Sequence, residues 1–192
     1  MLLGVPLAFP DPALAASGIV LRHLEPGDIP WITAACSDRE LSRYIPGIPY
    51  PYAQADARAF TERAAGAWAE GSAATFVISN GPDGAGLGMI GLHLAAGDTG
   101  LAEVGYWLAP EARGHGAATI AVQLVSRWAF TVVGVDRLSL QTAPENVASQ
   151  RVAERAGFTR EGLLRAWMPT RDGRRHSVMF SLLATDPTPE AS

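Results

Sequence analysis

The chain has a single cysteine, Cys36, in 192 residues. An intrachain disulfide framework and a thiolate metal cluster are excluded, and a reducing, cytoplasmic setting is expected. A lone cysteine inside a helical pattern reads as a small core residue before it reads as a nucleophile. The four histidines lie far apart, with no pair spaced along one helix, so no metal is expected. Charge is also scarce, at 18% of residues, and 15 Lys and Arg against 19 Asp and Glu leave a net charge of −4. There is no basic excess of the kind that wraps nucleic acid, so no nucleic-acid partner is expected. No stretch reaches the roughly 20 apolar residues of a membrane span, so no membrane partner is expected either. Ala13 to Ser17 has the small residues of a signal-peptide cleavage site. It lacks a basic start, however, and Pro6, Pro10 and Pro12 break the apolar region such a peptide needs. Residues 1–17 read instead as an irregular extension, and 185–192, rich in proline, as a flexible tail.

What remains, residues 18–184, carries the alternation of one domain. Ile19 to Leu24 reads as a strand, and Asp28 as the N-cap of a helix reaching Ser37. Three prolines between Tyr44 and Tyr52 rule out regular structure there; the three tyrosines of that loop either pack it down or line a pocket. Gln54 to Glu70 has Ala57, Phe60, Ala64 and Trp68 at helical spacing. Thr75 to Ser79, 86–96 and 101–109 read as strands, with turns at Asn80 to Gly84 and at Gly97 to Gly100. Ala117 to Val133 is apolar on most sides and predicts a helix buried against a sheet. Arg137 to Thr142 is a strand, Ser149 to Ala156 a short helix closed by Gly157, and Phe158 to Leu164 with His176 to Leu183 a closing strand pair. The class is α/β (α+β): one mixed, mostly antiparallel twisted sheet flanked by helices.

The informative segment is Arg113-Gly114-His115-Gly116-Ala117-Ala118-Thr119, where a strand passes through two glycines straight into the long helix. Glycine lets the backbone turn through positive φ and approach a ligand without a Cβ. The first helical turn adds unpaired N–H groups and the positive end of the macrodipole, so the segment predicts a diphosphate-sized anion site. A P-loop would need a lysine, and none is present in the loop. A dinucleotide fingerprint would need a third glycine where Thr119 stands. Asp136, 20 residues beyond Gly116, precedes its strand, whereas the ribose-binding acid belongs at a strand's carboxyl end.

Arg113-x-x-Gly116-x-Ala118 resembles the pyrophosphate signature of the GNAT superfamily of acyl-CoA N-acyltransferases. Asn146-Val147-Ala148-Ser149 followed by Gly157-Phe158 resembles that superfamily's downstream segment, and the two lie a helix and a strand apart. The likeness extends over residues 18–184. Glu103-Val104-Gly105-Tyr106-Trp107-Leu108 together with Asn146-x-x-Ser149 is similar to the ribosomal-protein (Rim-type) branch.

This resemblance implies direct transfer of acetyl from acetyl-CoA to a primary amine of a peptide or protein in a ternary complex. It places the diphosphate on the backbone of Gly114 to Thr119, with Arg113, His115 and Arg151 near phosphates, and the cofactor arm on Trp107, Leu108 and Asn146. Glu103 becomes the candidate base, acting through water; its alternative is a strand carboxylate that only fixes a neighbouring loop. The tyrosine acid of many relatives is Ala153 here, so Ser149 is the candidate for serving the departing sulfur, or else a helix-cap hydroxyl. Gln141 stands where some relatives carry glutamate, and Trp167-Met168 where another acid would be sought. Acceptor choice is expected from 44–52, 54–70 and 165–175, where Arg171 to Arg175 is either a solvated hairpin tip or a docking patch, and Trp167 either walls the pocket or packs. A small-molecule amine acetyltransferase and a non-catalytic acyl-CoA-binding module are the alternatives, and a homodimer stays open.

Overall fold

The computed structural model describes residues 6–45, 47–82, 84–170 and 173–187. Pro46, Asp83, Arg171 and Asp172, which fall in expected turns, lie outside the described residues, as do parts of both terminal segments. Among the described residues eight strands form one sheet: β1 (Ala15–Ala16), β2 (Ile19–Arg22), β3 (Ala73–Asn80), β4 (Gly86–Ala95), β5 (Asp98–Leu108), β6 (Arg137–Thr142), β7 (Thr159–Thr170) and β8 (Gly173–Leu183). Their spatial order is β1-β2-β3-β4-β5-β6-β8-β7, and every neighbouring pair is antiparallel except β5 and β6. Among the described residues five α-helices cover the two faces: α1 (Ile29–Cys36), α2 (Arg39–Tyr44), α3 (Gln54–Glu70), α4 (Ala117–Trp128) and α5 (Val147–Arg155). The mixed, mostly antiparallel sheet with flanking helices is the expected architecture.

Central strands are buried on both sides, and alternation sorts their side chains between two cores. Phe76, Ile78, Leu92, Val104, Leu138 and Phe180 face the side of α4 and α5. Val77 and Met89 face Ile29, Ile32 and Cys36 of α1 and Ala57 of α3. Phe76 is fully buried among Phe9, Trp68 and Trp128, with ring centroids at 5.6, 5.3 and 5.5 Å. Burying such a side chain contributes about 1.5–3 kcal/mol. Cys36 belongs to the smaller core, and burial pushes its thiol up to about 12, which suits packing and not nucleophilic work.

The structure departs from the sequence reading at several edges. Between the helix expected to reach Ser37 and the proline-rich loop lies a further helix, α2, whose N-cap Asp38 accepts the Glu40 N–H. Asp28 precedes α1 but does not cap it with its side chain; its buried carboxylate takes the Arg22 guanidinium at 2.7 and 2.9 Å and the Trp31 indole N–H at 2.7 Å. The hairpin turn is tighter than Gly97 to Gly100, because β5 begins at Asp98 opposite Ala95. The long helix is α-helical only to Trp128 and ends in one π turn, Ala129–Val133, closed by Gly134 at φ +81°. The closing strands are longer than expected, since pairing from Met168–Arg175 to Thr170–Gly173 draws the hairpin into the ladder. The extension expected to be irregular through residue 17 instead contributes β1 at Ala15–Ala16, and its segment 6–14 lies on the core through Leu7, Phe9 and Leu14. No helix among the described residues is long and apolar enough to cross a membrane.

Candidate active site

The sheet is split at its one parallel pair. β5 and β6 pair from Leu101–Arg137 to Glu103–Ser139 and no further, yet β5 continues to Leu108 and β6 to Thr142. On the far side β6 stays paired with β8 to Thr142, so it diverges from β5 and opens a gap. A cavity of about 830 Å³ runs through this gap, lined from one face by Glu103 and Trp107 and from the other by Tyr106, Asn146 and Ser149.

Alternation along β5 decides what reaches the gap. The Ala109 N–H bonds Leu87 O at 2.9 Å, and the register runs unbroken from Gly88–Leu108 to Leu94–Ala102. In an antiparallel ladder every second residue exchanges both backbone bonds with its partner. The peptide groups of Glu103, Gly105 and Trp107 are therefore committed to β4, and those of Val104, Tyr106 and Leu108 point toward the gap. Of the two residues expected to offer backbone bonds there, Leu108 faces it and Trp107 does not. Trp107 brings its indole instead, packed beside Trp31 at 5.8 Å on the face of α1 and α3.

Between the end of β5 and the start of α4 comes the glycine loop. Gly114 and Gly116 have φ of +84° and +87°, and Gly116 is the N-cap of α4. A Cβ at either position would meet open space. Among the described residues no acceptor meets the N–H groups of Gly114, His115, Gly116, Ala117, Ala118 and Thr119, and the next N–H, of Ile120, closes the helix on Gly116 O at 3.2 Å. A row of free donors at a helix start fits a diphosphate by charge and by room. The Arg113 guanidinium is turned elsewhere: it pairs with Asp38 at 2.6 Å and Glu40 at 2.5 Å, and its Nε donates to Leu108 O at 3.3 Å. Burial raises the Asp38 carboxyl, but the Glu40 N–H and the Arg113 charge outweigh it and leave the group below its ordinary value. His115 and Arg151 are exposed.

The floor on the face of α1 and α3 follows from cross-strand pairs: Met89–Trp107, Gly91–Gly105 and His93–Glu103. Two glycines side by side leave a slot without side chains between an apolar end and a titratable end. The His93 ring leans into it, its Nε2 only 3.0 Å from where a Gly91 Cβ would stand. Gln141 Nε2 donates to Glu103 Oε1 at 3.0 Å, and Ser177 Oγ donates to Gln141 Oε1 at 3.2 Å. One carboxylate oxygen of Glu103 is thus held while the side chain still lines the cavity. Tyr44, Tyr52, Met168 and His176 close the far wall. Tyr50 and Trp167 stand about half exposed, so Trp167 neither walls the cavity nor packs the core; it rides a bulge between Leu164 and Met168.

On the opposite face, α5 starts at Val147 and not at Ser149. Asn146 is its N-cap, with Oδ1 accepting the Ser149 N–H at 3.1 Å, so Ser149 is not the cap hydroxyl. Ser149 Oγ accepts instead from the Tyr106 hydroxyl at 3.0 Å. Burial pushes the Tyr106 phenol up to about 12, so it stays protonated. Ala153 is fully buried under the helix. Tyr106, Gly91 and His93 are among the site residues that the sequence reading does not single out. The only signal for them was the strand alternation through Glu103, which needs the register to become a face.

The model of the acetyltransferase (GNAT) domain family matches residues 19–159. The chain is similar to the N-acetyltransferase p20 of Bacillus licheniformis, at 29% identity over 165 residues, covering 86% of this chain and 92% of that protein. In fold it is similar to a GNAT-family acetyltransferase from Bacillus anthracis, with a TM-score of 0.80 at 23% identity, covering 91% of this chain and 99% of that one. It is equally similar to Mycobacterium smegmatis RimJ in complex with CoA-disulfide, with a TM-score of 0.80 at 23% identity, covering 90% of this chain and 85% of that one.

Proposed function

The chain belongs to the GNAT acetyltransferase family, and from that premise we propose that it acetylates a primary amine of a peptide or protein, holding acetyl-CoA in the β5–β6 gap. The observation that carries the acceptor class is the continuity of the acceptor side. The central cavity shares Ile48, Pro49 and Arg175 with a second groove that runs on between Arg39, Arg43, Tyr50 and Pro169. A chain segment can lie along such a path with only its amine at Glu103, whereas a small metabolite has no use for the outer half. The similar fold of RimJ, solved in complex with CoA-disulfide, supports CoA as the ligand of the loop.

The residues divide the work. The free N–H groups from Gly114 to Thr119 hold the diphosphate, and Gly116 leaves it room. Acetyl-CoA supplies the thioester: a nitrogen–carbon bond forms, the carbon–sulfur bond breaks, and that electron pair stays on sulfur. The Leu108 N–H, turned into the gap, stabilises negative charge on the acetyl oxygen. Glu103, held by Gln141, accepts the proton lost by the amine through water. Ser149 faces the sulfur from α5.

The test is acetyl transfer from acetyl-CoA to two panels, peptides with free N-terminal or lysine amines and small amines. Turnover of peptides is expected. Turnover confined to small amines would replace the peptide reading, and CoA binding with no turnover of either would leave a binding module.

A further inference from the structure

Several serine and threonine hydroxyls in or beside helices bond back to the preceding turn, while Ser126 Oγ, buried in α4, has no partner among the described residues. Thr33, Ser37, Thr61 and Thr131 each donate to the carbonyl four residues back, at 2.7, 2.7, 2.9 and 2.8 Å. That is the ordinary resting place of a helical hydroxyl. Ser149, in the first turn of α5, does not follow it. Its Oγ meets a tyrosine from a strand 43 positions earlier, and its N–H is already taken by Asn146.

We propose that Tyr106 is a positioning residue which, by donating to Ser149 Oγ, turns the single Ser149 hydrogen into the gap toward the cofactor sulfur. A hydroxyl has one hydrogen and two lone pairs. With one lone pair filled by Tyr106, the hydrogen points elsewhere, and among the described residues it has no acceptor. Both side chains line the cavity, so the direction left to it is the gap. A hydroxyl that accepts one hydrogen bond also donates a second more strongly. As the carbon–sulfur bond breaks, Ser149 O–H donates to the electron pair arriving on sulfur; Tyr106 keeps its own proton throughout. The buried phenol, which resists ionising, suits that fixed-donor role. Tyr106 thus stands in for the side chain that Ala153 lacks, acting from the strand through a serine.

The inference rests on the proposal that the gap holds CoA, and the experiment separates the two. Affinities for CoA and for desulfo-CoA, in which hydrogen replaces the thiol, are measured by calorimetry at a pH of about 9.5, above the ordinary thiol range. Wild-type protein is expected to prefer CoA by about tenfold, the worth of a hydrogen bond to a charged group. Tyr106→Phe and Ser149→Ala should each abolish most of that preference while leaving desulfo-CoA affinity unchanged, and the double variant should lose no more than Ser149→Ala alone. A preference retained in Tyr106→Phe, or equal loss of affinity for both ligands, would overturn the positioning role. Wild-type protein that binds neither ligand would instead overturn the CoA reading beneath it. A far-UV spectrum and thermal midpoint matching wild type exclude misfolding of Tyr106→Phe, which keeps the ring.

Discussion

The two halves of the site are built from different materials. The glycine loop works with peptide groups: free N–H donors at the start of α4, with two left-handed glycines and no side chain in the way. The wall proposed to face the acceptor works with side chains: His93 from β4, Glu103 from β5, Gln141 from β6 and Ser177 from β8. A backbone site asks only for local conformation and an anion. A side-chain site asks for register across strands that are distant in sequence. Variants on one half should therefore alter CoA affinity and leave the acceptor step intact, and variants on the other should do the reverse.

The largest effect is expected at the loop. Gly116→Glu places a carboxylate where the diphosphate is proposed to bind and should lower CoA affinity by more than about a hundredfold in calorimetry. Gly116→Ala separates charge from strain. Its Cβ meets open space but must adopt φ +87°, a cost of about 1–2 kcal/mol, and CoA should still bind. Loss of binding in the alanine variant would mean that backbone shape, not anion repulsion, governs the loop.

Next comes the wall. Glu103→Gln should lower turnover by about a hundredfold, the usual contribution of a general base, with CoA affinity unchanged. The deficit should widen at lower pH, where more amine is protonated. A wild-type pH profile would remove Glu103 from the chemistry and leave it a strut for Gln141.

Smaller effects lie at the supports. Asn146→Ala removes the cap of α5 and should cost about 1 kcal/mol in denaturant unfolding, with turnover reduced because Ser149 sits on that first turn. Arg113→Ala should cost less than about 1 kcal/mol, its carboxylate partners being partly solvated. The Asp38 share of that stability is present above the unfolded carboxyl value and lost as pH falls through the lowered folded one. CoA affinity should stay within about threefold of wild type, because the guanidinium is spent on Asp38 and Glu40; a large loss would return Arg113 to the phosphate side.

Legibility follows the same division. Gln54–Glu70 and Arg137–Thr142 are found at the boundaries that periodicity predicts, since each buries one stripe against a continuous core. Gly157, expected to close a helix, adopts φ +92° after α5. The short helix α2 escaped notice because six residues bury only Leu41, and its carboxylates are tied down by Arg113 from far along the chain. Strands β7 and β8 were underestimated because Met168 to Thr170 gain a partner only when the hairpin closes.

By itself, then, the sequence determined the conformation of the glycine loop. Two glycines between a strand and a helix carry their conformation locally, and the family likeness of Arg113 to Ala118 and Asn146 to Phe158 needs no distant partner to be read. Tertiary structure decided where β5 parts from β6, that Leu108 and not Trp107 turns its peptide into the gap, and that Tyr106 reaches Ser149. Those facts depend on register, and a shift of one residue would carry every side chain of β5 to the other face.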